Sequence, residues 1–204
     1  MAREQLTTAE TRAHILDIAR KQFFKRGYSG VSINEIVEAL NVTKPTVYYH
    51  FKNKAGLFAA LVEDAYSCCF EQRKRAVDEQ SPAAEQVFQV IAADFAFCLA
   101  HPDLVRFVLA LTFALPEERP VDVREFHKRD YEFFLKIVER GIERGEFHCI
   151  DATEAAITLQ GLIAINIMSF LQMDQTPEFL SSERARLLSR VLLNGIEKKP
   201  ENTK

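Results

Sequence analysis

The chain has 204 residues, of which 48% are apolar and 27% charged, the balance of an ordinary globular protein of one or two domains. Seven glycines and seven prolines supply few of the turns that an all-β fold needs, which argues against that class. The net charge of −3 is unevenly distributed, because residues 1–55 sum to +4 and residues 56–204 to −7. A basic module on an acidic body is therefore expected, and a basic module attracts a polyanion.

Helical periodicity begins near the N-terminus. An apolar stripe predicts a first helix over residues 11–26, which Gly27 ends. A second helix begins after Ser32, and Glu35, three positions later, completes a capping box in which each side chain accepts a backbone N–H. This helix ends at Asn41, the type of non-glycine residue that best tolerates a left-handed turn.

The next segment, VTKPTVYYHFKNK at residues 42–54, predicts a short helix that is both basic and aromatic. Thr43 is its expected N-cap. Pro45 falls at the second helical position, where its missing N–H had no partner to lose. Lys44 and Tyr48 are four positions apart on the side that stays exposed.

The rest of the chain predicts six more helices, with no repeat and no low-complexity linker. The first starts near Lys54 with Asn53 as its cap, and Gly56 in its first turn is expected to cost about 1 kcal/mol relative to alanine. Residues 172–178 are predicted to form a turn. The other five helices are expected over residues 83–100, 102–114, 121–144, 151–171 and 182–197.

Residues 155–171 are the one candidate for a membrane span. The stretch has 17 residues, fewer than the roughly 20 that a span needs, and it is interrupted by Gln160, Asn166 and Ser169. A helix that is apolar on all sides is otherwise buried in protein, so we expect an interior or subunit-interface helix.

The second and third helices, joined by the turn at residues 41–43, make a helix-turn-helix. In this motif the second helix lies in the DNA major groove with its N-terminal residues at base edges. Lys44 can donate to guanine O6 and N7, whereas Pro45 and Thr46 can contact a thymine methyl group. Lys54 adds its charge to the N–H groups at the start of the next helix, where phosphate binds.

The hydroxyl groups of Thr43, Tyr48 and Tyr49 can reach phosphates, which positions the helix without reading sequence. The alternative is a solvated corner of a helical bundle whose tyrosines merely pack. The paired caps and the basic charge of this segment argue against that alternative.

Residues 11–63, TRAHILDIARKQFFKRGYSGVSINEIVEALNVTKPTVYYHFKNKAGLFAALVE, resemble the N-terminal domain of the TetR family of bacterial transcriptional regulators. The ILD start, RGY, YYHF followed by NK, and the spacings all agree. The resemblance implies an all-α homodimer, with a three-helix DNA-binding domain at 1–55 and a bundle at 56–204 for ligand binding and dimerisation. It most often implies a repressor that a small effector releases from DNA. A dimer presents two recognition helices, so we expect a near-palindromic operator, and the cysteine pattern favours a cytoplasmic protein.

The resemblance also implies roles for single residues, and three positions depart from the usual family pattern. Asn41 stands where a turn glycine is usual, Phe24 where a small or polar residue is common, and Asn34 where some members read a base with arginine. The operator sequence therefore does not transfer. The implied DNA contacts are Ser32 and Asn34 at backbone and base, Lys44, Pro45, Thr46 and Tyr48 at bases, and Thr43, Tyr49, His50 and Lys54 at phosphates.

Eight phenylalanines between residues 88 and 134 could form core or the walls of a ligand pocket. Asn166, inside IAINIM, is the best candidate for a polar group that binds the ligand, because a buried amide needs hydrogen-bond partners. The alternative is that Asn166 forms a hydrogen bond with a second subunit instead of a ligand. We expect an apolar effector, and the acidic body favours a cation over an anion. The candidate ligand residues are Phe95, Phe107, Leu111, Thr112, Phe134, Asn166 and Phe170, and the candidate dimer residues are Ile163, Ile165, Leu188 and Leu192.

No nucleotide-binding or hydrolase motif occurs, so we do not expect an enzyme, a cofactor or a metal. The pairs His127–Asp130 and His101–Asp103 are interpreted as ordinary surface pairs. The four cysteines are interpreted as reduced thiols, with oxidant sensing by the adjacent pair at 68–69 as the alternative. Two competing functions remain: an α-helical carrier of hydrophobic molecules with a vestigial DNA-binding domain, and an α-helical enzyme.

Overall fold

The computed structural model describes residues 7–114, 120–148, 151–173 and 175–195, and within them the fold is all-α, as the sequence predicts. The described residues form nine α-helices and one short 3-10 helix at Pro177–Leu180, without a strand. The α-helices are α1 (Thr8–Arg26), α2 (Ile33–Leu40), α3 (Lys44–Phe51), α4 (Lys54–Ala76), α5 (Ala83–Ala100), α6 (Pro102–Phe113), α7 (Arg124–Glu143), α8 (Ala152–Gln172) and α9 (Ser182–Asn194).

The predicted cap of α2 is present. The Ser32 hydroxyl accepts the Glu35 N–H at 3.3 Å, and the Glu35 carboxylate accepts the Ser32 N–H at 2.7 Å. Asn53 caps α4 as expected, because its side-chain oxygen accepts the Gly56 N–H at 2.8 Å. These side chains satisfy N–H groups that a helix start otherwise leaves unpaired.

Several helix ends differ from the prediction. Helix α1 starts at Thr8 rather than residue 11, because Thr7 forms a capping box with Glu10. Helix α7 starts at Arg124 rather than residue 121, where the Asp122 carboxylate accepts the Arg124 N–H at 3.0 Å. The predicted turn at 172–178 is also wrong in part, since α8 reaches Gln172 and the 3-10 helix begins at Pro177.

The contacts divide the chain into two compact units. The N-terminal unit contains residues 1–68 and 103–124, hence α1–α3, most of α4 and nearly all of α6. The C-terminal unit contains residues 69–102 and 125–204, hence the end of α4 together with α5, α7, α8 and α9. The domain boundary between residues 55 and 56 stays a prediction.

An aromatic cluster forms part of the core of the N-terminal unit. Phe23 and Phe58 meet edge to face with ring centres 5.1 Å apart, and Phe107 of α6 meets Phe58 at 5.7 Å. Phe24 stacks on Phe107 at 4.4 Å. This stacking gives Phe24, which departs from the family pattern, a packing role.

In the C-terminal unit, α5 contacts both α8 and α9. By length and composition alone, α5 and α8 could each cross a membrane, so the 155–171 stretch is not the sole candidate. The burial of α5 in its own unit accounts for its apolar character. Helix α8 buries one face, with Ala156, Leu159 and Ile163, and leaves another exposed.

Candidate nucleic-acid interface

The turn between α2 and α3 sets the relative direction of the two helices of the helix-turn-helix. Asn41 adopts φ 52° and ψ 41°, the left-handed conformation that the sequence predicts for it. Ile36 of α2 and Val47 and Phe51 of α3 are buried. Because these apolar residues face inward, the opposite side of α3 faces solvent.

The exposed side of α3 carries most of the predicted DNA contacts. Tyr49 is 77% exposed and Tyr48 42% exposed, unusual values for large aromatic side chains. Thr43, Lys44 and Pro45 are exposed as well. An exposed aromatic and basic helix start is the surface that a polyanion can approach without displacing any core residue.

A shallow depression of about 440 Å³ brings residues from three segments together. It lies between the start of α2, the exposed side of α3 and the start of α4. Half of the ten predicted DNA-binding residues line it, namely Ser32, Asn34, Lys44, Tyr48 and Lys54; Thr43, Pro45, Thr46, Tyr49 and His50 lie at α3 outside its lining. We call the residues that line it, which also include Ser29, Val31 and Ile33, the α2–α3 depression.

Hydrogen bonds within the chain hold several of these side chains. The Thr43 hydroxyl accepts the Thr46 N–H at 3.4 Å, and the two threonine hydroxyl oxygens are 2.9 Å apart. Thr43 therefore caps α3 as predicted. A phosphate contact by its hydroxyl would have to share the oxygen with this cap.

An ion pair fixes the end of α1 to the start of α2. Arg26 Nη1 lies 2.8 Å from Glu35 Oε1. The hydrogen bond from Arg26 comes first among the causes that lower the pKa of Glu35 to about 2, followed by those from the Ser32 N–H and hydroxyl groups. Glu35 is therefore an anion at neutral pH, and its charge is matched by Arg26.

Sequence reasoning missed two residues near the depression. Ser29 lines it, and Tyr28 lies under the Lys54 ammonium group. Both follow the end of α1 within the RGYS sequence at residues 26–29. The RGY letters carried the family resemblance, but nothing in the sequence alone gave these two side chains a position.

The predicted ligand residues fall into both units. Phe107, Leu111 and Thr112 belong to the N-terminal unit, where the Tyr66 and Thr112 hydroxyl oxygens are 3.0 Å apart. Of this set, Phe95, Phe107, Leu111 and Phe134 are buried, and Thr112, Asn166 and Phe170 are half-buried; Phe95, Phe134, Asn166 and Phe170 belong to the C-terminal unit.

Asn166 has hydrogen-bond partners within the same chain. Its amide N–H donates to the Leu162 carbonyl at 2.8 Å, and its oxygen accepts from Arg184 Nη2 at 2.7 Å. Neither a ligand nor a second subunit is needed to satisfy this amide.

The C-terminal unit contains an ionic cluster that sequence reasoning missed. Arg73 of α4 contacts Asp94 of α5 at 3.0 Å and Asp130 of α7 at 3.2 Å. Burial alone would lower the pKa of Arg73, but the negative charges of Asp94 and then Asp130 outweigh burial, and the pKa of Arg73 is raised. The pKa of Asp94 is also raised, because burial of its carboxylate outweighs the opposing effect of the positive charge of Arg73. The interpretation of His127–Asp130 as an ordinary surface pair is wrong, because the Asp130 side chain is only 16% exposed and paired with Arg73.

The predicted dimer residues differ in exposure. Ile163 is only 4% exposed and thus buried within the single chain, whereas Ile165 is 59% exposed; Leu188 and Leu192 are half-buried. The same two helices carry further exposed apolar side chains, namely Ile157 on α8 and Leu187, Val191 and Leu193 on α9. Across the described residues, no group of three or more His, Cys, Asp or Glu side chains could hold a metal ion.

Among curated proteins, the HTH-type transcriptional regulator AcrR of Shigella flexneri is 45% identical over 64 residues, which are 31% of this chain and 30% of that protein. The probable HTH-type transcriptional regulator YttP of Bacillus subtilis is 28% identical over 175 residues, 84% of this chain and 80% of that protein. The chain thus spans less than a third of AcrR and most of YttP.

Solved structures share the fold. The transcriptional regulator FadR from Bacillus subtilis, in complex with stearoyl-CoA, superposes with a TM-score of 0.74 at 21% identity, covering 91% of this chain and 99% of that one. AibR, in complex with isovaleryl coenzyme A and operator DNA, superposes with a TM-score of 0.71 at 22% identity, covering 90% and 98%.

Two family models match this chain. The model of bacterial regulatory proteins of the tetR family matches residues 15–61, and that of the tetracyclin repressor-like C-terminal domain matches residues 80–165. The first match contains both helices of the helix-turn-helix, and the second lies within the predicted ligand-binding bundle. The chain belongs to the TetR family of bacterial transcriptional regulators.

Proposed function

We propose that the protein is a homodimeric repressor that binds a near-palindromic DNA operator and is released from it by a small, largely apolar effector. The observation that carries the proposal is the α2–α3 depression, in which Lys44, Tyr48 and Lys54 share one surface with the start of α2. We place the protein in the cytoplasm, with no enzymatic activity and no membrane partner.

The depression has the chemistry that duplex DNA requires. Lys44 stands at the N-terminal end of α3, the end of a recognition helix that meets base edges. Lys54 starts α4, where N–H groups and a positive charge together favour a phosphate. The charge of +4 on residues 1–55 attracts the DNA backbone before any base is read.

The exposed apolar residues of α8 and α9 support a dimer. Ile157 and Ile165 are exposed on α8, and Leu187 and Val191 are exposed on α9. An isologous interface across a two-fold axis would bury this face against its own copy. Such a dimer presents two recognition helices, which is why the operator should contain two inverted half-sites about one helical turn or more apart.

The effector part of the proposal draws on the relatives. Two proteins with the same fold were solved in complex with acyl-CoA ligands, FadR with stearoyl-CoA and AibR with isovaleryl coenzyme A. For this chain we propose only that a ligand binds the bundle. Release then requires the ligand to prefer the conformation whose recognition helices no longer match the operator.

The test is selection of duplexes from a random pool by the purified protein, followed by native mass spectrometry of the selected complex. We expect an enriched sequence with two inverted half-sites, bound by two subunits. The double variant Lys44→Ala/Lys54→Ala should enrich nothing, whereas Lys128→Ala, which removes an exposed lysine from α7, should behave as the parent. A parent protein that is not retained on any duplex at low salt would favour the carrier with a vestigial DNA-binding domain.

A further inference from the structure

Arg129 of α7 holds an unusual position in the C-terminal unit. Its guanidinium carbon lies 4.3 Å from the centre of the Phe70 ring and 5.6 Å from that of Phe126. Its Nε and Nη2 atoms are both buried, and neither has a hydrogen-bond partner in the part of the chain that the structure describes. The residue therefore has aromatic neighbours for its flat faces but no acceptor for one edge.

That edge has a defined chemical preference. The Nε–H and one Nη2–H of a guanidinium point side by side in the same direction, and this fork matches the two oxygens of a carboxylate. A buried donor without an acceptor costs its full desolvation penalty, so two on the same edge call for a specific explanation. A bound anion supplies one.

The acidic side chains of the neighbouring ionic cluster do not fill this role. Asp130 follows Arg129 in sequence, but its Oδ1 lies 3.2 Å from Nη1 of Arg73. Asp94 is engaged by Nε of the same Arg73 through both of its oxygens, at 3.0 and 3.1 Å. Both carboxylates are thus held by Arg73, and neither forms a hydrogen bond with Nε or Nη2 of Arg129.

The surroundings of Arg129 are aromatic. Phe133 meets Phe70 edge to face with ring centres 5.8 Å apart, and it meets Phe134 at 5.9 Å. Phe70, Phe126 and Phe133 are half-buried, so part of each ring remains open to contact. An anion-binding edge thus lies beside apolar surface, which suits a molecule with a carboxylate at one end and an apolar body.

We propose that Arg129 anchors the effector by binding the carboxylate of an aryl or alkyl acid, whose apolar part contacts Phe70, Phe126 and Phe133. The inference rests on the proposed function, in which the protein binds an effector, and names its chemical class. It replaces the cationic effector that the acidic composition favours, because overall charge does not describe the local environment of one guanidinium. An ammonium group would leave the Arg129 edge unpaired, and an amide would offer it one uncharged oxygen in place of the two charged oxygens of a carboxylate.

The experiment is isothermal titration calorimetry on the full chain without DNA. The probes are matched triplets that share an apolar body: octanoate, octanamide and octylamine, and benzoate, benzamide and benzylamine. At least one acid should bind with a dissociation constant of millimolar or below. It should bind at least about tenfold more tightly than its matched amide or amine, because a charge-assisted hydrogen bond contributes about 1.4 kcal/mol or more and each 1.4 kcal/mol is a factor of ten in affinity. Binding of an amide or amine as tightly as its acid, or of none of the six, overturns the proposal.

Variants test the anchor itself. Arg129→Met should weaken acid binding at least about tenfold, and Arg129→Lys should recover part of it, because lysine keeps the charge but not the fork. Lys128→Met removes the same charge from an exposed position of α7 and should bind as the parent does. In the absence of ligand, Arg129→Met loses the ring contacts of the guanidinium but also removes two buried donors without acceptors, so it should unfold close to the temperature of Lys128→Met. A much lower temperature would show that Arg129 is paired within the chain and overturn the assignment.

Operator binding separates this inference from the proposed function. If an acid binds through Arg129 and leaves operator affinity unchanged, the site stands and release by the effector fails. If the protein binds its operator as a dimer but none of the acids binds, the carboxylate anchor fails and the DNA-binding function stands.

Discussion

The ammonium group of Lys54 lies 4.4 Å from the centre of the Tyr28 ring. The contact joins the first residue of α4 to the segment between α1 and α2, and it holds a flexible side chain over an aromatic face. A positive charge is thus placed at the rim of the α2–α3 depression before DNA arrives, which lowers the ordering cost of a phosphate contact.

Lys54→Ala should weaken binding to all DNA sequences alike, because a phosphate contact carries no sequence information. The slope of log affinity against log salt should fall by about 1 for each phosphate that a subunit no longer neutralises. Fluorescence anisotropy of operator and unrelated duplexes across a salt series measures both effects. Lys128→Ala serves as the control, and a weakening confined to the operator would contradict the phosphate role.

Lys44→Ala should instead relax the preference for one base pair in each half-site. Removal of a hydrogen-bonded guanine partner costs about 1–3 kcal/mol of discrimination. Affinities of parent and variant for operators with single base-pair substitutions locate the position. Equal weakening on every duplex would show that Lys44 does not read a base.

Glu35→Gln should make the stability of the protein less dependent on pH in acid. The folded pKa of Glu35, about 2, lies below its ordinary value, so its stabilising contribution is present above about pH 4.5 and is lost as the pH falls towards 2. The variant should melt below the parent at neutral pH, and this difference should vanish near pH 2. Circular dichroism melts check this, with Glu38→Gln as an exposed acid of the same helix. A difference that persists unchanged at pH 2 would contradict the pairing with Arg26.

Ile165→Asp should give folded monomers in sedimentation velocity. Its side chain is exposed in the single subunit, so the charge is harmless there but costs several kcal/mol, roughly 3–5, when a partner covers it. Ile142→Asp, at an exposed apolar position on α7, is the control and should stay dimeric. Ile163→Asp cannot serve as this probe, because Ile163 is buried within the subunit. A stable Ile165→Asp dimer would place the interface elsewhere.

Gly56→Ala should destabilise the protein, although alanine is the better helix former. A Cβ at residue 56 would lie 2.1 Å from the Phe51 carbonyl oxygen, so the chain between α3 and α4 would have to shift. Steric strain of about 1–3 kcal/mol outweighs the propensity gain of about 1 kcal/mol. Chemical denaturation measures the change, and Ala59→Gly on the exposed side of α4 calibrates propensity alone. A more stable Gly56→Ala protein would refute the steric argument.

The turns and caps of the N-terminal unit are predictable to the extent that a side chain signals its own backbone conformation. Asn41 does so, and it has the left-handed conformation expected. Lys52 also has a positive φ, 64°, yet lysine carries no such preference, so the end of α3 could not be predicted from it. The sequence predicts Gly56 as a weakness, but the carbonyl that requires it is visible only in three dimensions.

The candidate sites, too, are predictable from the sequence only where their residues are close together along the chain. The members of the α2–α3 depression are close in sequence, and helical periodicity is enough to put Lys44 and Tyr48 on one face. The pairing of Arg73 with Asp94 and Asp130 joins three helices separated by long stretches of chain. No local pattern encodes such a pairing, which is why sequence reasoning places Asp130 at the surface.

The exposed tyrosines of α3 are intrinsic fluorescent probes on the proposed recognition helix. The chain has no tryptophan and five tyrosines, so tyrosine dominates its intrinsic ultraviolet emission. Tyr48 and Tyr49 stand on the proposed DNA-facing helix, whereas Tyr66 is buried with its hydroxyl group 3.0 Å from that of Thr112. Two of the five emitting tyrosines therefore lie on the recognition helix, so a change in emission on addition of DNA that is lost in a Tyr48→Phe/Tyr49→Phe variant would report its surroundings without a dye or an engineered tryptophan.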